Sequence, residues 1–326
     1  MFSDYFSNPR IPGTLKRSLY FPWLYHQGKR KNILLFSSRR SGSTLLSQII
    51  SGNPGIRYID QPFDFYAWIG KDIKAQYLPS VYRSQFINLS ETEELSVKKY
   101  TSLMLQGDLK QLGGLEHFQF PFVANRTLIK ICCASALINW FNVNFDVEIF
   151  YLVRHPIPTA LSMVRNQWNQ GGKLGEAYIV NDFFVDRYLS TKQVKLAKKI
   201  LSEGTHFQQC ILTWCLENLI PLKYASPTLF KIRYEDLILN SANWVDIIAG
   251  KLELKNTKKM FKKTVKPSKS SYLSDNKTRK LISKNSKKKL LGKWKSQISR
   301  EQIDDTKKVL DLFEISEYRA DECLPK

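Results

Sequence analysis

The chain has 326 residues, of which 43% are hydrophobic and 13% aromatic, and it carries a formal net charge of +21. A chain of this size can bury a sizeable core, in one large domain or in two. It contains no run of 18 or more apolar residues, and its N-terminus has aromatic side chains but no continuous apolar segment. We therefore expect neither a transmembrane helix nor a signal peptide.

The cysteine content indicates a protein that keeps its thiols reduced. The cysteines are Cys132, Cys133, Cys210, Cys215 and Cys323. Their number is odd, and no two of them form a CxxC pair. Reduced thiols are the rule in the cytosol, so this pattern favours a cytoplasmic protein.

After an aromatic arm at 1–31, the sequence predicts a buried strand, a tight bend and a helix. The apolar run at 33–36 is short and bulky, as in a strand that is buried on both faces. A polar bend follows at 37–42. Apolar residues then recur with helical spacing up to residue 50, and the hydroxyl groups of Ser43 and Thr44 are expected to cap the start of this helix.

This unit has the features of an anion-binding site. The first N–H groups of a helix have no internal partner, and the helix dipole adds partial positive charge there. Two arginines in the bend supply full charges and planar, bidentate donors. The residues expected to contact a phosphate or sulfate group are Arg39, Arg40, Ser41, Gly42, Ser43 and Thr44. The loop lacks the Walker A pattern, which argues against a nucleotide kinase.

Four further strands are predicted in chain order. A second strand at 56–59 ends at Asp60 and is followed by a turn. Three more apolar runs, at 127–133, 147–153 and 228–234, each have the length and composition of a buried strand. The run at 147–153 is the clearest of the three.

Helical segments separate these strands. Residues 206–225 carry apolar side chains at helical spacing, whereas 63–120 has no strong strand pattern and suits an inserted lobe. Strands that alternate with helices predict an α/β fold, in which a central parallel sheet has helices on both faces. Ligands of such folds bind beyond the carboxyl ends of the strands. We expect one domain of this kind over 1–326.

A second anion site is predicted at the end of the fourth strand. Arg154 lies where this strand ends, and Pro158 can take the first position of the next helix because its missing N–H is not needed there. Ser162 is then about one turn into the helix and can face the strand end. An arginine and a hydroxyl group that meet there can bind a second phosphate. His155, next to Pro156 in the turn, is expected to be structural.

The two sites together resemble those of the sulfotransferases that use 3′-phosphoadenosine 5′-phosphosulfate (PAPS). The Arg-Ser-Gly-Ser-Thr sequence at 40–44 is similar to the loop that binds the 5′-phosphosulfate, especially in the carbohydrate and tyrosylprotein branches. Arg154 and Ser162 match the 3′-phosphate motif in residue type and spacing. The resemblance covers 33–62, 126–165, 206–237 and 288–296, and it implies a P-loop-like central sheet.

A late Gly-x-Trp element also resembles this family, in which it closes over the nucleotide. Gly292, Lys293 and Trp294 are therefore expected to contact the nucleotide. The glycine would let the backbone approach the 3′-phosphate, and the neighbouring side chains would add charge or stacking. The alternative is a helix cap with a buried tryptophan.

The resemblance implies an enzyme that moves a sulfuryl group from PAPS to a hydroxyl or amine acceptor and releases 3′-phosphoadenosine 5′-phosphate (PAP). Glycans and glycolipids are candidate acceptors, and the lobe at 63–120 would lie on the acceptor side. Arg40 would stabilise the charge that grows on the leaving phosphate oxygen. No metal is required, because the transferred group carries less negative charge than a phosphoryl group.

A base has to take the proton of the acceptor. Related glycan and tyrosine sulfotransferases place a glutamate near the end of the second strand, and this chain departs from that pattern. One alignment puts Gln61 there, which cannot act as a base, and another puts Asp60 there. We favour Asp60, with Asp64 and His117 as alternatives. The competing interpretation is that Asp60 only caps the following turn.

The positive charge is concentrated in one segment. Residues 251–300 contain 18 Lys and Arg residues against Glu253 and Asp275, a net charge of +16. Such a cluster suggests an anionic partner and defines an alternative function, a nucleic-acid-binding or anionic-surface-binding protein. The segment has little aromatic interleaving and no recognisable motif, so we expect no specific nucleic acid and at most peripheral membrane contact. Solvated helix faces explain the lysines equally well.

Overall fold

The computed structural model describes residues 24–25, 28–65, 71–79, 85–109, 123–268 and 276–326. At its centre is a five-stranded sheet in which neighbouring strands are parallel. Two short strands, β1 (Leu24–Tyr25) and β4 (Val123–Ala124), form a separate parallel pair. The strands of the central sheet are β2 (Asn32–Ser37), β3 (Ile56–Asp60), β5 (Arg126–Ile131), β6 (Val147–Val153) and β7 (Phe230–Arg233).

The order of the strands places β2 in the middle of the sheet. Across the sheet the order is β3-β5-β2-β6-β7. Ser37 at the end of β2 is in register with Leu152 near the end of β6. Asp60 at the end of β3 is in register with Lys130 on β5. The loops after these strands therefore leave the same edge of the sheet, which is where open α/β sheets bind their ligands.

Helices connect the strands. Between β2 and β6 these are α1 (Ser43–Ile50), α2 (Lys71–Tyr77), α3 (Glu91–Gln106) and α4 (Ile138–Asn144). Between β6 and β7 they are α5 (Pro156–Arg165), α6 (Lys173–Ile179), α7 (Asp182–Tyr188), α8 (Thr191–Glu203) and α9 (His206–Leu219). After β7 they are α10 (Tyr234–Leu239), α11 (Ser241–Lys251), α12 (Thr257–Thr264), α13 (Asn276–Ser283), α14 (Lys287–Gly292) and α15 (Arg300–Leu312). Across these described segments, none of the helices has the length and apolar character of a membrane span.

Two hydrophobic clusters cover the two faces of the sheet. Alternate residues of β2 face opposite sides, so that Ile33 and Leu35 join one cluster while Leu34 and Phe36 join the other. The first cluster contains the apolar side of α1 with residues of α10, α11 and α12. The second contains residues of α3, α4, α5, α6 and α9. The predicted α/β fold, a parallel sheet with helices on both faces, is confirmed.

The predicted strands are also confirmed, with observed bounds that differ by at most two residues at either end. The predicted helix at 206–225 is α9 followed by a wider helical turn, Ile220–Tyr224. Pro221 lies in that turn and lacks the amide hydrogen that a regular α-helix needs. The sequence did not predict the β1–β4 pair, because two residues are too few to show a pattern.

The predicted start of the helix after β6 is wrong. Helix α5 begins at Pro156, two residues before Pro158. His155 is its N-cap, and the ring Nδ1 accepts a hydrogen bond from the amide of Ile157 at 3.2 Å. Either proline could occupy a first helical turn, and only the histidine cap decides between them. Ser162 consequently lies nearly two turns into the helix instead of one.

The segment at 63–120, which the sequence predicts to be an inserted lobe, is described in part. It contains α2 and α3, and α3 begins with a capping box formed by Ser90 and Glu93. The segments 66–70, 80–84 and 110–122 lie outside the described residues, and with them the candidate base His117.

The basic segment at 251–300 contains α12, α13 and α14. Helix α12 buries Met260 in the core while Lys258, Lys259 and Lys262 remain exposed. These lysines therefore lie on solvent-facing sides of a helix, as one of the two interpretations predicts. The predicted anionic partner of the segment stays a prediction.

Candidate active site

The loop between β2 and α1 contains two residues with left-handed backbone. Arg40 has a φ of 64° and Gly42 a φ of 93°. A Cβ atom at Gly42 would lie 2.5 Å from Cδ2 of Tyr234, so only glycine fits between this ring and the loop. The turn is braced from inside by Ser41, which is fully buried with its Oγ 2.6 Å from Oγ of Ser38.

The prediction that hydroxyl groups cap α1 is wrong. Gly42 is the N-cap residue, and no side chain caps the helix. Ser43 instead has its Oγ 3.7 Å from Sγ of Cys132, and Thr44 Oγ1 accepts a hydrogen bond from Nζ of Lys130 at 3.4 Å. Within the described residues, no side-chain cap therefore competes with an anion for the first N–H groups of α1.

Residues predicted for two different phosphate groups lie in contact. Nε of Arg40 donates a hydrogen bond to Oγ of Ser162 at 2.9 Å, and the guanidinium lies over the ring of Trp168, 5.2 Å from its centroid. Nη1 of Arg154 donates to the backbone carbonyl of Arg40 at 3.2 Å. Arg40, Arg154 and Ser162 thus meet where the ends of β2 and β6 adjoin.

Arg154 is held by its surroundings but keeps donor capacity. Its guanidinium lies over the ring of Tyr234, 4.5 Å from the centroid, and its carbonyl accepts a hydrogen bond from Nε1 of Trp214 at 3.0 Å. Its buried Nε has no hydrogen-bond partner, and no ion pair of Arg154 occurs within the described part of the chain. A positively charged group with an unused, buried donor suits an anionic ligand.

Arg39 contacts a buried carboxylate in the last turn of α9. Its Nη1 lies 2.8 Å from Oε1 of Glu217, with side-chain exposures of 10% for Arg39 and 1% for Glu217. Burial disfavours the charge of Arg39, but the carboxylate outweighs burial and raises the arginine pKa. Burial also raises the pKa of Glu217, against the opposing effect of the guanidinium. The structure therefore gives the two adjacent arginines different partners.

A buried lysine outside the predicted site residues lies beside the loop. Nζ of Lys130 forms an ion pair with Oδ1 of Asp60 at 2.6 Å and contacts Thr44. Burial lowers the pKa of Lys130, but the Asp60 carboxylate outweighs this effect and the pKa is raised. Lys130 interrupts an apolar run, and lysines are almost never buried without a partner. The lysine within the apolar run was therefore the sequence feature that could have indicated a buried ion pair.

The predicted Gly-x-Trp element lies at the end of α14 and in the 3₁₀ turn that follows. Trp294 is buried and stacks on His155, with ring centroids 4.8 Å apart. Nζ of Lys293 donates a hydrogen bond to Oγ1 of Thr278 at 2.6 Å. Gly292 has a φ of −84°, which any residue can adopt. Of Gly292, Lys293 and Trp294, it is the tryptophan that packs on His155, the residue next to Arg154 in the chain.

A buried network supports the end of β6. The backbone N–H of His155 donates to Oε1 of Glu235 at 3.0 Å, and Oη of Tyr318 donates to Oε2 of the same carboxylate at 2.8 Å. Nε2 of His155 donates to the carbonyl of Arg319 at 3.0 Å, while its Nδ1 accepts at the start of α5. This pattern fixes a neutral tautomer, and burial lowers the histidine pKa to about 4. The structure thus supports the predicted structural role of His155.

Gln61 and Asp64 follow Asp60 in the chain and lie within the described residues. Gln61 follows β3 with a φ of 47°, and its backbone N–H donates a hydrogen bond to the backbone carbonyl of Lys130 at 2.9 Å. Asp64 is partly buried, and its carbonyl accepts a hydrogen bond from Nζ of Lys74 at 2.7 Å. Asp60 remains the carboxylate that lies at a strand end beside the loop.

Comparisons with known proteins report what this chain is similar to. A family model described as "Sulfotransferase domain" matches residues 30–317. The chain is similar to the sulfotransferase domain from the curacin biosynthetic pathway, with 18% identity, a TM-score of 0.48 and coverage of 87% of this chain and 98% of that chain. It is similar to mouse sulfotransferase SULT7A1 complexed with PAP, with 15% identity, a TM-score of 0.39 and coverage of 91% and 88%. It is also similar to retinol dehydratase in a complex with retinol and PAP, with 14% identity, a TM-score of 0.39 and coverage of 90% of this chain and 84% of that chain. A comparison with curated proteins finds no match.

Proposed function

Since the chain belongs to the sulfotransferase domain family, we propose that it moves a sulfuryl group from PAPS to a hydroxyl or amine acceptor. The observation that carries the proposal is the meeting of Arg40, Arg154 and Ser162 at the adjoining ends of β2 and β6. PAPS presents one anionic group at its 5′ position and another at its 3′ position. The Arg40 guanidinium donates to the Ser162 hydroxyl group and the Arg154 guanidinium to the Arg40 carbonyl, so that the three residues together supply donors for both anionic groups.

In the proposal, the 5′-phosphosulfate lies at the start of α1. Arg40 and the amide groups of Gly42, Ser43 and Thr44 would bind it, and Lys130 adds a charge next to Thr44. As the acceptor attacks sulfur, the bond to the bridging oxygen breaks and negative charge grows on the leaving phosphate. Donors fixed beside that oxygen stabilise the transition state more than the ground state.

The 3′-phosphate is assigned to Arg154 and Ser162. The unused Nε of Arg154 and the stacking of its guanidinium on Tyr234 support this assignment. Gly292, Lys293 and Trp294 remain candidates for the same side of the nucleotide. For Trp294 we propose a supporting role through His155, because its ring is already buried against the imidazole.

We assign the base to Asp60. Its carboxylate is 27% exposed and is fixed by the ion pair with Lys130. The same lysine contacts Thr44, so the carboxylate lies near the region where the loop would present the sulfuryl group. The acceptor proton would move to Asp60 while the new bond to sulfur forms. Asp64 and His117 are the alternatives.

For the acceptor, we propose a glycan or glycolipid that reaches the site from the inserted lobe at 63–120. The support is the loop sequence at 40–44, which is similar to that of the carbohydrate and tyrosylprotein branches. We also propose that the enzyme acts in the cytoplasm. All five cysteines are free, which suits a reducing compartment.

The test is transfer of label from radiolabelled PAPS, in excess chelator, to panels of oligosaccharides, glycolipids, tyrosine peptides and small alcohols. We expect label to appear in one acceptor class and PAP to inhibit the transfer. Labelling of tyrosine peptides or small alcohols alone would contradict the proposed acceptor class. No transfer to any class, together with no binding of PAP, would contradict the function itself.

A further inference from the structure

A carboxylate buried next to the phosphate loop has no part in the proposed transfer of the sulfuryl group. Glu217 lies in the last turn of α9 with a side chain that is 1% exposed. Its ion pair with Arg39 removes two charges from water, which is costly. A buried ion pair is often no more stabilising than hydrophobic residues of similar volume. Stability alone therefore does not explain the pair.

One oxygen of this carboxylate connects two distant parts of the chain. Oε1 of Glu217 accepts hydrogen bonds from Nη1 of Arg39, in the phosphate loop, and from Nε2 of Gln85, in the inserted lobe. The segment that contains Gln85 passes the end of β5, where the amide of Phe86 donates to the carbonyl of Cys133 at 2.7 Å. The carboxylate thus joins the anion-binding loop to the described part of the lobe.

The ion pair also bears on the shape of the loop. Glu217 holds Arg39 through an ion pair, while the next residue, Arg40, donates a hydrogen bond to Ser162. The left-handed backbone of Arg40, with a φ of 64°, is a strained conformation for a residue with a side chain. Such a conformation persists only where the surroundings hold it. Glu217 and Ser162 therefore hold the side chains of two consecutive residues of this turn.

We propose that Glu217 is a positioning residue, which fixes the phosphate loop through Arg39 and couples it to the inserted lobe through Gln85. The inference rests on the proposed function, in which the lobe binds the acceptor. Nucleotide bound at the loop then orders the segment at 85–90, so that binding of the donor prepares the acceptor side. Glu217 itself touches neither substrate.

Glu217→Gln tests the proposal, because the amide keeps the size of the side chain and removes its charge. Without nucleotide, hydrogen exchange at 37–44 should become about tenfold faster or more. The kcat per PAP-binding site should fall about tenfold or more, since small displacements of the donor loop slow the chemistry. PAP should slow exchange at 85–90 in the wild type and have little effect there in the variant.

A second variant separates positioning from folding, because the single substitution leaves the buried Arg39 charged. Arg39→Met/Glu217→Leu removes both charges and should regain most of the lost thermal stability. The proposal predicts that its kcat and the protection of 85–90 by PAP nevertheless stay low. As a control, Glu314→Gln breaks an exposed ion pair with Lys223 and should match the wild type throughout.

The double variant decides the matter. If it has the kcat, the loop exchange and the PAP-dependent protection of the wild type, Glu217 is only structural and the proposal is wrong. If PAP fails to bind even the wild type, the proposed function is wrong. In that case, exchange at 37–44 without nucleotide still reports whether Glu217 holds the loop.

Discussion

Asp60 ends strand β3 in an ion pair with Lys130, and this lysine also contacts Thr44 in the first turn of α1. The carboxylate is therefore fixed beside the loop while part of it remains exposed. We predict that Asp60→Asn lowers kcat by about 10²-fold or more, because asparagine keeps the shape but cannot take the acceptor proton. Steady-state transfer assays give kcat, and calorimetry should find an almost unchanged affinity for PAP.

Three further variants control for changes other than the loss of the base. Gln61→Ala should lower kcat much less, since an amide can only orient an acceptor. Asp60→Asn leaves Lys130 buried without its carboxylate, which can cost about 3–5 kcal/mol of stability, so Asp60→Asn/Lys130→Met is compared with Lys130→Met. Turnover near that of the wild type in folded Asp60→Asn rules out Asp60 and moves the search to Asp64 and His117.

At the scale of the element, the strand–loop–helix unit depends on its backbone more than on its hydroxyl groups. Gly42→Ala places a methyl group against Tyr234 and forces a side chain into left-handed backbone. We predict a loss of about 1–3 kcal/mol in the free energy of unfolding and a weaker affinity for PAP. Denaturant unfolding and calorimetry measure the two effects.

The same substitution at Gly250 is the matched control. Among the described residues, nothing lies within 4 Å of a Cβ atom at Gly250, which is part of α11. Gly250→Ala should therefore stabilise the protein slightly, by up to about 1 kcal/mol, and leave PAP binding unchanged. If Gly42→Ala binds PAP as the wild type does, the loop is not the binding site.

The elements of the sheet could be predicted because each strand is a short apolar run. The predicted strand at 147–153 coincides with β6, for example. The order of the strands could not be predicted, since nothing local in the sequence tells that β2 lies between β5 and β6. The predicted start of α5 was wrong for a similar reason. Pro156 and Pro158 both suit a first helical turn, and the deciding contact is made by the ring of His155.

In the site, residue types and spacing selected Arg40, Arg154 and Ser162, and the structure brings these three together. The sequence could not separate Arg39 from Arg40, because the partner of Arg39 lies 178 positions away within an apolar helix. Lys130 was missed for the same physical reason. Its role depends on a carboxylate that only the pairing of β3 with β5 brings beside it.

At the scale of the whole molecule, His155 connects the sheet to the C-terminal segment. Its ring is buried, stacks on Trp294 and donates to the carbonyl of Arg319. Burial lowers its pKa from 6.5 to about 4. Between these two pH values the unfolded chain binds more protons than the folded one. The contribution of the neutral imidazole to the free energy of unfolding is therefore complete above pH 6.5 and declines as the pH falls toward 4.

We predict that His155 accounts for a loss of about 2 kcal/mol in the free energy of unfolding between pH 7 and pH 5. Urea denaturation at both pH values measures the loss. His155→Asn is the comparison, because asparagine can still cap α5 but does not titrate. The variant should lose about 2 kcal/mol less than the wild type over this range. Equal losses would contradict the depressed pKa.

The central claim is that Arg154 and the loop at 37–44 bind a nucleotide with both a 5′ and a 3′ anionic group. Calorimetry in excess chelator, with PAP and with adenosine 5′-phosphate, tests it most directly. We predict that the wild type binds PAP and that Arg154→Ala weakens this binding by about 1.5–3 kcal/mol, roughly tenfold or more. The affinity for adenosine 5′-phosphate should change little, because that ligand lacks the 3′-phosphate. No binding of PAP at high micromolar concentration, or equal losses for the two nucleotides, would contradict the claim.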